Sequence, residues 1–590
     1  MSDQSLRQTA AGRGFSVSYK GKTLLSTVDP IAQAERIVLS VSKRERTLYL
    51  CPSPLYGYGL DALAESLSPD SAVLCVEADP ELLNLSVQAM RGLLEVYAGT
   101  VQLVGSAEPG TVCGAVRKIW GPRRFRRVET IRLSGGWQLF PAEYDALAET
   151  LRQDFAVDWG NAMTLTKLGR RYILNAVRNL ALIPRAYSLR DLDFGDAPVL
   201  ALGAGPSLDA ILERLPQKNR PFKIICVDTA LPVLKERNIK PDLAVILESQ
   251  HWNLRDFIGL GDWEIPTAMD LSALPASGSV LRGKVLLFAT PWTELRLFRR
   301  LASAGLLPEL MHPLGSVGLT MVAAALRVSR GLIITSGLDF SYTLDSFHAR
   351  SAPSHREELY RQTRFRSILN GDTAFRAGSF GAIAKSGIPV RTNPALKTYR
   401  DLFERTFAGI SRIQDIAGPG LALGVQTLSL EEALRALQSG IFSHSATSDS
   451  EDSSFSFFSQ KENFSTSSEE DTKNAQKENL SKKSFTSSEE EAKNAQKENL
   501  SKKKSAEAFI REERDRLIAL RAILTGEISG NSETLETLLD EADYLWAHFP
   551  DCAGAGGRRP PGTDPSFIKR VRAEIDPLIR SFNLALADLF

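Results

Sequence analysis

One short segment of the chain combines glycines, a proline and a hydroxyl in an order that suits phosphate binding. The apolar run PVLAL at 198–202 is followed by GAGPSL at 203–208 and then by a helical pattern. Glycines permit a sharp turn and the close approach of a ligand, and the amides and positive dipole end of the following helix attract a phosphate. The turn therefore predicts nucleotide binding, although tight strand–helix turns also need glycine for packing alone. The candidate contacts are Gly203, Gly205, Pro206 and Ser207, the last as helix N-cap.

Polar residues also follow successive apolar runs of strand length. In an open α/β sheet, the ligand crevice lies outside the carboxyl ends of the strands. Helix capping or loop solvation explains each residue alone, but their recurrence at five strand ends favours one shared site. These residues are Asp228, Glu248, Asp270, Thr290 and the segment Ser336 to Asp339.

A histidine follows the last of these runs by a short loop. His348 can reach the same crevice, and an imidazole that titrates near neutral pH suits a general base. A lone loop histidine is more often a surface residue, so this role needs further support. The hydroxyls of Tyr342 and Ser316 stand where they could donate to a leaving phosphate.

The elements that must position these residues are predicted to form a doubly wound, mostly parallel α/β sheet. Helical patterns such as 208–215 and 319–328 separate most of the apolar runs. The runs are continuous rather than alternating, which is typical of strands buried on both faces. The predicted strands are 198–202, 223–227, 243–247, 267–269, 285–289 and 332–335.

The composition divides the chain into four predicted regions. Residues 1–185 are predicted to form an N-terminal α/β, Rossmann-like domain, 186–440 a central domain that carries the site, and 505–590 a helical bundle. Residues 441–504 are rich in Ser, Glu, Lys and Asn and repeat the decapeptide NAQKENLSKK. Such a segment cannot bury enough apolar surface to offset chain entropy, so we expect disorder or a mobile helix and interpret the segment as a disordered, low-complexity linker.

A weaker nucleotide-like pattern lies upstream. Gly57 and Gly59 follow an apolar run, and Glu77 comes twenty residues after Gly57, the spacing of a dinucleotide or methyl-donor fingerprint. The third glycine is absent, and Pro52 and Pro54 interrupt the pattern. A Rossmann-like structural domain without a cofactor is therefore the favoured interpretation.

Composition excludes several classes of protein. Lys and Arg number 71 against 70 Asp and Glu, so the chain lacks the basic footprint of a general nucleic-acid binder. No apolar stretch of membrane-spanning length occurs, and the N-terminus lacks the apolar core of a signal peptide. The five cysteines are dispersed without a CxxC pair. We therefore expect a cytoplasmic protein in a reducing compartment, without a zinc site and without membrane contact.

The ordered motifs resemble the motility accessory factor (Maf) family, which modifies flagellin with nonulosonic acids such as pseudaminic or legionaminic acid. The MptE-like central domain of that family is similar to bacterial CMP-dependent sialyltransferases, which share a Gly-x-Gly-Pro-Ser-Leu turn and a Gly-x-Asp-Phe segment. Ala204 departs from that turn, since those enzymes often carry Asn there. The matching segments within about 190–350 are GAGPSLD, VDTALPVLKERNIKPDLAVILES, and LGSVGLTMVAAALRVSRGLIITSGLDFSY with FHAR.

The resemblance implies an inverting glycosyltransferase that moves a nonulosonic acid from a CMP-activated donor to Ser or Thr hydroxyls of flagellin. His348 would be the base, and Asp339 and Tyr342 would lie at the donor sugar or leaving group. No cofactor beyond the donor and no metal is expected, because hydroxyls and helix amides could stabilise the departing CMP. The candidate nucleotide contacts are then Gly203, Gly205, Pro206, Ser207, Asp228, Glu248, Ser316 and Gly318.

Two alternatives stay open at this point. Archaeal hydroxymethylpterin diphosphokinases resemble the same central domain, and that function would need ATP and magnesium held by Asp228, Glu248 or Asp339. The long flanking regions weaken the case for the diphosphokinase. The other alternative is a non-catalytic chaperone that binds flagellin through the helical C-terminal region.

Overall fold

The computed structural model of the chain describes residues 5–121, 123–216, 219–343, 346–365, 376–439, 488–554 and 559–590. The chain forms two compact units. The first consists of Met1–Gly169 with Trp546–Pro560, and the second of Arg170–Leu545 with Pro561–Phe590. These units do not coincide with the four predicted regions, because the second unit begins before residue 186 and the C-terminal helices divide between both. Whether each predicted region folds alone stays a prediction.

The first unit has the α/β layer predicted for it. β1–β3 form an antiparallel sheet, and the other four strands form a parallel sheet in the order β6-β5-β4-β7. The strands are β1 (Arg7–Ala10), β2 (Phe15–Tyr19), β3 (Lys22–Thr23), β4 (Thr47–Pro52), β5 (Ala72–Val76), β6 (Val101–Val104) and β7 (Arg127–Thr130). The helices are α1 (Pro30–Ser40), α2 (Leu60–Ser66), α3 (Pro80–Val96), α4 (Pro109–Trp120) and α5 (Pro141–Asn179), which continues into the second unit.

The upstream glycine turn lies between β4 and α2 and is closely packed. Gly57 and Gly59 have φ of +69° and +79°. A Cβ on Gly57 would lie 2.9 Å from Cγ of Met90 on α3, and one on Gly59 would lie 3.3 Å from Cβ of Ala34 on α1. Glu77 is buried and accepts a hydrogen bond from the amide of Asp79. Helix packing therefore accounts for both glycines, which favours the structural interpretation of this turn.

The second unit contains a nine-stranded parallel sheet, which confirms the doubly wound fold. Its order is β13-β12-β11-β10-β9-β8-β14-β17-β18, and a separate antiparallel pair joins β15 and β16. The six predicted strands agree with the structure to within about a residue at each end, whereas β13, β17 and β18 were not predicted. The strands are β8 (Val199–Leu202), β9 (Lys223–Val227), β10 (Leu243–Ile246), β11 (Thr267–Asp270), β12 (Val285–Ala289), β13 (Glu309–Leu310), β14 (Ile333–Ser336), β15 (Phe380–Ile383), β16 (Pro389–Thr392), β17 (Ile413–Ile416) and β18 (Gln426–Leu428).

Most helices of the second unit connect or cover these strands. They are α6 (Leu208–Leu212), α7 (Leu231–Glu236), α8 (Ser277–Val280), α9 (Arg296–Ser303), α10 (Val317–Val328), α11 (Pro353–Arg361), α12 (Pro394–Phe407), α13 (Leu430–Ser439), α14 (Ser488–Thr525), α15 (Ser532–Glu541) and α17 (Pro565–Asp588), while α16 (Pro550–Gly554) belongs to the first unit. No helix in the described part of the chain is long and apolar enough to cross a membrane.

The predicted linker, 441–504, is only partly described. Residues 441–487 lie outside the described residues, and the remainder forms the start of α14. Whether 441–504 acts as a linker stays a prediction, but 488–504 adopt the helical one of the two expected states. The physical reason is that this charged segment extends a helix whose second half packs against α17, so it needs no core of its own. The buried apolar residues of that half include Ile510, Leu517, Leu520 and Leu524.

The order of the large sheet reverses between β8 and β14. From β8 the chain adds β9 to β13 on one side, and then returns to β14, β17 and β18 on the other. Connections that leave neighbouring strands in opposite directions open a crevice at the carboxyl ends of those strands. The GAGPSL segment follows β8 and the GLDFSY segment follows β14, so both meet at this crevice.

The last turns of α5 fix the loops that follow β10 and β11. Asn175 and Asn179 are buried on one face of the helix, and each side-chain amide donates two hydrogen bonds to loop carbonyls. The acceptors lie 2.8–3.1 Å away and are Ser249 and Ser272 for Asn175, and Leu271 and Ala273 for Asn179. Sequence reasoning placed this helix in the N-terminal region and missed this role, although Tyr172, Asn175 and Asn179 repeat at helical spacing.

We expect Asn179→Ala to lower the free energy of unfolding by about 2 kcal/mol, because two buried carbonyl oxygens lose their donor. Asn161→Ala is the matched control, since Asn161 is exposed on the same helix. Urea denaturation of both variants measures the difference. Equal stability of the two variants would show that the loop carbonyls do not depend on Asn179.

Candidate active site

A cavity of about 170 Å³ opens at the point where the strand order reverses. Turns that follow β8 and β14 form its walls, together with the start of α10 and a loop before α11. Thr229, Leu338 and Leu396 complete much of the lining. Six of the predicted site residues line it, namely Gly203, Gly205, Ser316, Gly318, Asp339 and His348.

Five predicted site residues do not line this cavity. Tyr342 is buried behind it, where its ring packs against that of Phe347 with 5.3 Å between the centroids. Glu248 is half-buried and accepts a hydrogen bond from the amide of Gln250. Neighbouring residues on a turn direct their side chains away from one another, so closeness in sequence does not place these side chains in the cavity, and their predicted roles stay predictions. The other three are Pro206, Ser207 and Asp228.

The two glycines that face each other across β8 and β14 allow the closest backbone approach in the site. A Cβ on Gly203 would lie 2.3 Å from the carbonyl oxygen of Gly337, and one on Gly337 would lie 2.4 Å from that of Gly203. Gly337 also has a φ of +74°. A Cβ on Gly205 would lie 2.3 Å from Oδ2 of Asp339. Side chains at these positions would force the two turns apart and reshape the cavity.

The amides of the GAGPSL turn are largely used within the protein. The Ser207 amide donates to Oδ2 of Asp339 at 2.8 Å, and the Gly205 amide donates to the carbonyl of Gly337 at 2.8 Å. Ser207 Oγ accepts from the Gly337 amide at 2.9 Å and makes no helix cap, contrary to the prediction. The α6 helix has five residues, so its dipole is short. The turn thus shapes the cavity, and direct phosphate binding at α6 is not favoured.

The start of α10 is better suited to an anion. Ser316 is the N-cap residue, but its hydroxyl makes no capping hydrogen bond. Ser316, Val317 and Gly318 all line the cavity, and α10 has twelve residues. The first amides of a helix lack partners within the helix, and its dipole attracts negative charge. Ser316 and Gly318 thus line the cavity at a helix start, and their role on the phosphate side stays a prediction.

His348 is fixed in the wall of the cavity by contacts on each side of its ring and by its loop. Its Nδ1 lies 2.7 Å from Oγ of Ser354, and the ring of Phe347 meets its ring edge to face with 4.5 Å between the centroids. The next residue, Ala349, donates its amide to the carbonyl of Ala204 at 2.9 Å. Burial lowers the pKa of His348 to about 4, and the positive charge of Arg255 contributes. The imidazole is therefore neutral at pH 7 and able to accept a proton, and Nε2 is the nitrogen that Ser354 leaves free.

Asp339 belongs to a buried group of charges that sequence reasoning missed. Lys385 pairs with Asp415, and both side chains are almost completely buried. Asp415 also accepts from Oγ1 of Thr335 at 2.8 Å. Burial raises the pKa of Asp339 and of Asp415, and the charge of Lys385 opposes both shifts. Lys385 comes after β15, far along the chain from its partners, and no motif marked it.

A second pair of carboxyl groups lies beside the cavity. Asp228 accepts from Nδ2 of Asn253 at 2.7 Å, and Asp256 accepts from Oγ1 of Thr229 at 2.9 Å. Burial raises the pKa of Asp228 to about 7, and the charge of Asp256 adds to the shift. Burial likewise raises the pKa of Asp256 to about 6. Asp256 and Asn253 were missed because they lie in a short 3₁₀ segment without strand or helix periodicity.

Comparisons with known proteins agree with this architecture. Residues 171–345 match the family model described as 6-hydroxymethylpterin diphosphokinase MptE-like. The Maf glycosyltransferase from Magnetospirillum magneticum AMB-1 has a similar structure, with a TM-score of 0.51 and 15% identity over 100% of this chain and 92% of that chain. The resemblance predicted from the sequence is confirmed. The structural likeness concerns the fold, since the sequences have diverged widely.

A relative of similar length extends the comparison. An uncharacterized protein of Treponema pallidum (strain Nichols) is 29% identical over 588 residues, which covers 95% of this chain and 92% of that protein. Its similarity therefore extends over both compact units rather than over the MptE-like segment alone.

We expect Lys385→Met to lower the free energy of unfolding by about 3 kcal/mol, because two buried carboxylates lose their counter-charge. The loss should shrink as the pH falls, since protonated carboxyl groups need no cation. Lys397→Met is the matched control, because Lys397 pairs with Asp401 in an exposed position worth well under about 1 kcal/mol. Urea denaturation at pH 7.5 and pH 5 measures both variants. A loss in K385M no greater than in K397M would contradict the assignment.

Proposed function

We propose that this protein is a glycosyltransferase that moves a nonulosonic acid from a CMP-activated donor to Ser or Thr hydroxyls of flagellin. The observation that carries the proposal is the cavity at the strand reversal. It brings together a glycine-walled turn, the start of a long helix and a neutral histidine. The Maf-like fold and the MptE-like segment support the choice of this reaction class.

The nucleotide phosphate is proposed to bind at the start of α10. Ser316 Oγ and the first amides of the helix are donors without partners inside the helix. They would stabilise the negative charge that develops on the leaving phosphate, which is the largest electrostatic demand of this reaction. No metal or additional cofactor is required in this scheme.

His348 is proposed as the general base. Its free Nε2 would take the proton from the acceptor hydroxyl while the hydroxyl oxygen attacks the anomeric carbon of the donor. The bond between that carbon and the phosphate oxygen breaks, and CMP leaves with the electron pair. A single displacement of this kind inverts the anomeric configuration. Asp339 acts indirectly, by accepting the Ser207 amide and so holding the turn whose Ala204 carbonyl accepts from Ala349, the residue after His348.

The proposed setting is the cytoplasm, with flagellin as protein partner and a nucleotide sugar as donor. Five free, dispersed cysteines are typical of a reducing compartment.

One second function has a specific observation in its favour. The matching family model is named for a diphosphokinase, which would transfer diphosphate from ATP with magnesium. Its metal would need free carboxylate oxygens. Asp228 already accepts from Asn253 and Thr229, and Asp339 accepts from Ser207. Asp339 keeps its Oδ1 without a partner but is buried, whereas Glu248 accepts from Gln250 alone and is only half-buried, so Glu248 is the more accessible carboxylate for that alternative.

We expect His348→Ala to lower sugar transfer by roughly 100-fold or more while leaving CMP affinity within about twofold, because a base contributes to the chemical step and not to nucleotide binding. Mass spectrometry of flagellin incubated with the purified protein and a CMP-activated nonulosonic acid measures transfer. His251→Ala is the control, since His251 is exposed. Transfer by H348A at the rate of H251A would remove His348 from the mechanism.

Calorimetry separates the two functions directly. We expect CMP to bind with a dissociation constant that magnesium leaves unchanged, and ATP to bind weakly with or without magnesium. Ser316→Ala should weaken CMP binding by about fivefold, as one hydrogen bond to a charged group is lost. Tight, magnesium-dependent binding of ATP without binding of CMP would favour the diphosphokinase.

A further inference from the structure

A second group of side chains surrounds the carboxyl ends of β10 to β12, next to the cavity already described. It consists of one carboxylate and three aromatic rings, namely Glu248, Tyr172, Trp292 and Tyr399. All four are half-buried, so each retains a face open to solvent. We call this group the aromatic subsite.

Different elements hold the aromatic subsite together. Tyr172 comes from α5, one turn before Asn175, whose amide donates to the carbonyl of Ser249 at 3.0 Å. That bond places the face of α5 directly over the residue after Glu248. The rings of Tyr172 and Trp292 lie 5.5 Å apart between centroids with an interplanar angle of 44°. The two rings therefore form a tilted aromatic wall above the strand ends.

Tyr399 connects this wall to the proposed phosphate site. It lies on α12 one turn after Leu396, which lines the cavity. A Cβ on Gly315 would lie 3.4 Å from Cε1 of Tyr399, and the residue after Gly315 is the N-cap of α10. The aromatic subsite is thus the space that a donor would enter beyond its phosphate.

The polar groups of the aromatic subsite do not hydrogen-bond to one another. Among the described residues, neither phenol hydrogen-bonds to Glu248, and no Lys or Arg lies within 4 Å of its carboxylate. Glu248 nevertheless lies close enough for its charge to act on both tyrosines. Burial raises the pKa of Tyr172 to about 12 and raises the pKa of Tyr399 above its usual value. In both cases the negative charge of Glu248 adds to the effect of burial. Two phenol donors and one carboxylate acceptor therefore lie near one another without pairing.

We infer that the aromatic subsite binds the exocyclic part of the donor sugar, with Glu248 accepting from its N-acyl amide and the tyrosines donating to its hydroxyl and acyl oxygens. This inference rests on the proposed function. A nonulosonic acid differs from other sugars in carrying N-acyl groups and a short polyhydroxyl chain beyond the ring. Carboxylates accept strongly from amide N–H groups, and aromatic faces pack against the acyl methyl and C–H bonds. Glu248 is then a specificity-determining residue for the sugar rather than a nucleotide contact.

Binding of two probes separates this inference from the proposed function. The probes are CMP and CMP-N-acetylneuraminic acid, each titrated calorimetrically into the full chain. The variants are Glu248→Ala and Tyr172→Phe, with Tyr187→Phe as control because Tyr187 is largely exposed. Thermal unfolding of each variant checks that the fold is intact, and Y172F removes only one hydroxyl.

We expect E248A to weaken CMP-N-acetylneuraminic acid binding by about tenfold, Y172F by about fivefold and Y187F not at all. All three should bind CMP as the wild type does. Equal losses for CMP and for the sugar nucleotide would assign Glu248 to the nucleotide and overturn the inference, as would unchanged binding of the sugar nucleotide by E248A and Y172F. Failure of the wild type to bind either probe would instead contradict the proposed function.

Discussion

The close approach of Gly203 and Gly337 is the constraint on which the site depends. Each glycine fills the space that a Cβ of the other would need, so the turns after β8 and β14 touch through their backbones. The amides of Gly203 and Gly205 donate to the carbonyls of Ser336 and Gly337, which continues the pairing of the strands past their ends. The crevice at the strand reversal is therefore narrow at its base and rigid, and its width is set by main chain rather than by mobile side chains.

That rigidity depends on buried charge. Asp339 accepts the Ser207 amide and lies where a larger residue at Gly205 or Gly420 could not be accommodated. A carboxylate without a nearby cation would not remain ionised at such a depth, and the charge of Lys385 opposes the effect of burial. Lys385 in turn pairs with Asp415 at the end of β17. Through its charge on Asp339 and its ion pair with Asp415, Lys385 thus links the turns after β8 and β14 with β17.

The sequence predicted the central sheet well because strands buried on both faces leave continuous apolar runs, as in KIICV and LAVIL. Short edge strands such as β13 and β18 carry no such run. In the site, Gly203 and His348 were recognised by motif order, and both line the cavity. Lys385 and Tyr172 were not, because they reach the site from elements distant in the chain, and Asp256 was not, because it lies in a short 3₁₀ segment without strand or helix periodicity. The hydroxyl of Ser207 makes no capping hydrogen bond, because it accepts the amide of Gly337, 130 residues away in the chain.

The charge state of His348 allows it to accept a proton rather than to donate one. His348 is neutral at pH 7, because burial and Arg255 disfavour the imidazolium. A base with so low a pKa is weak before the donor binds. The phosphate and carboxylate of a CMP-activated nonulosonic acid would bring negative charge into the same cavity, and a nearby negative charge raises the pKa of an imidazole. In the proposed reaction, binding of the donor would therefore raise the pKa of His348 as the proton is to be accepted, whereas the imidazole is neutral and weakly basic while the cavity is empty.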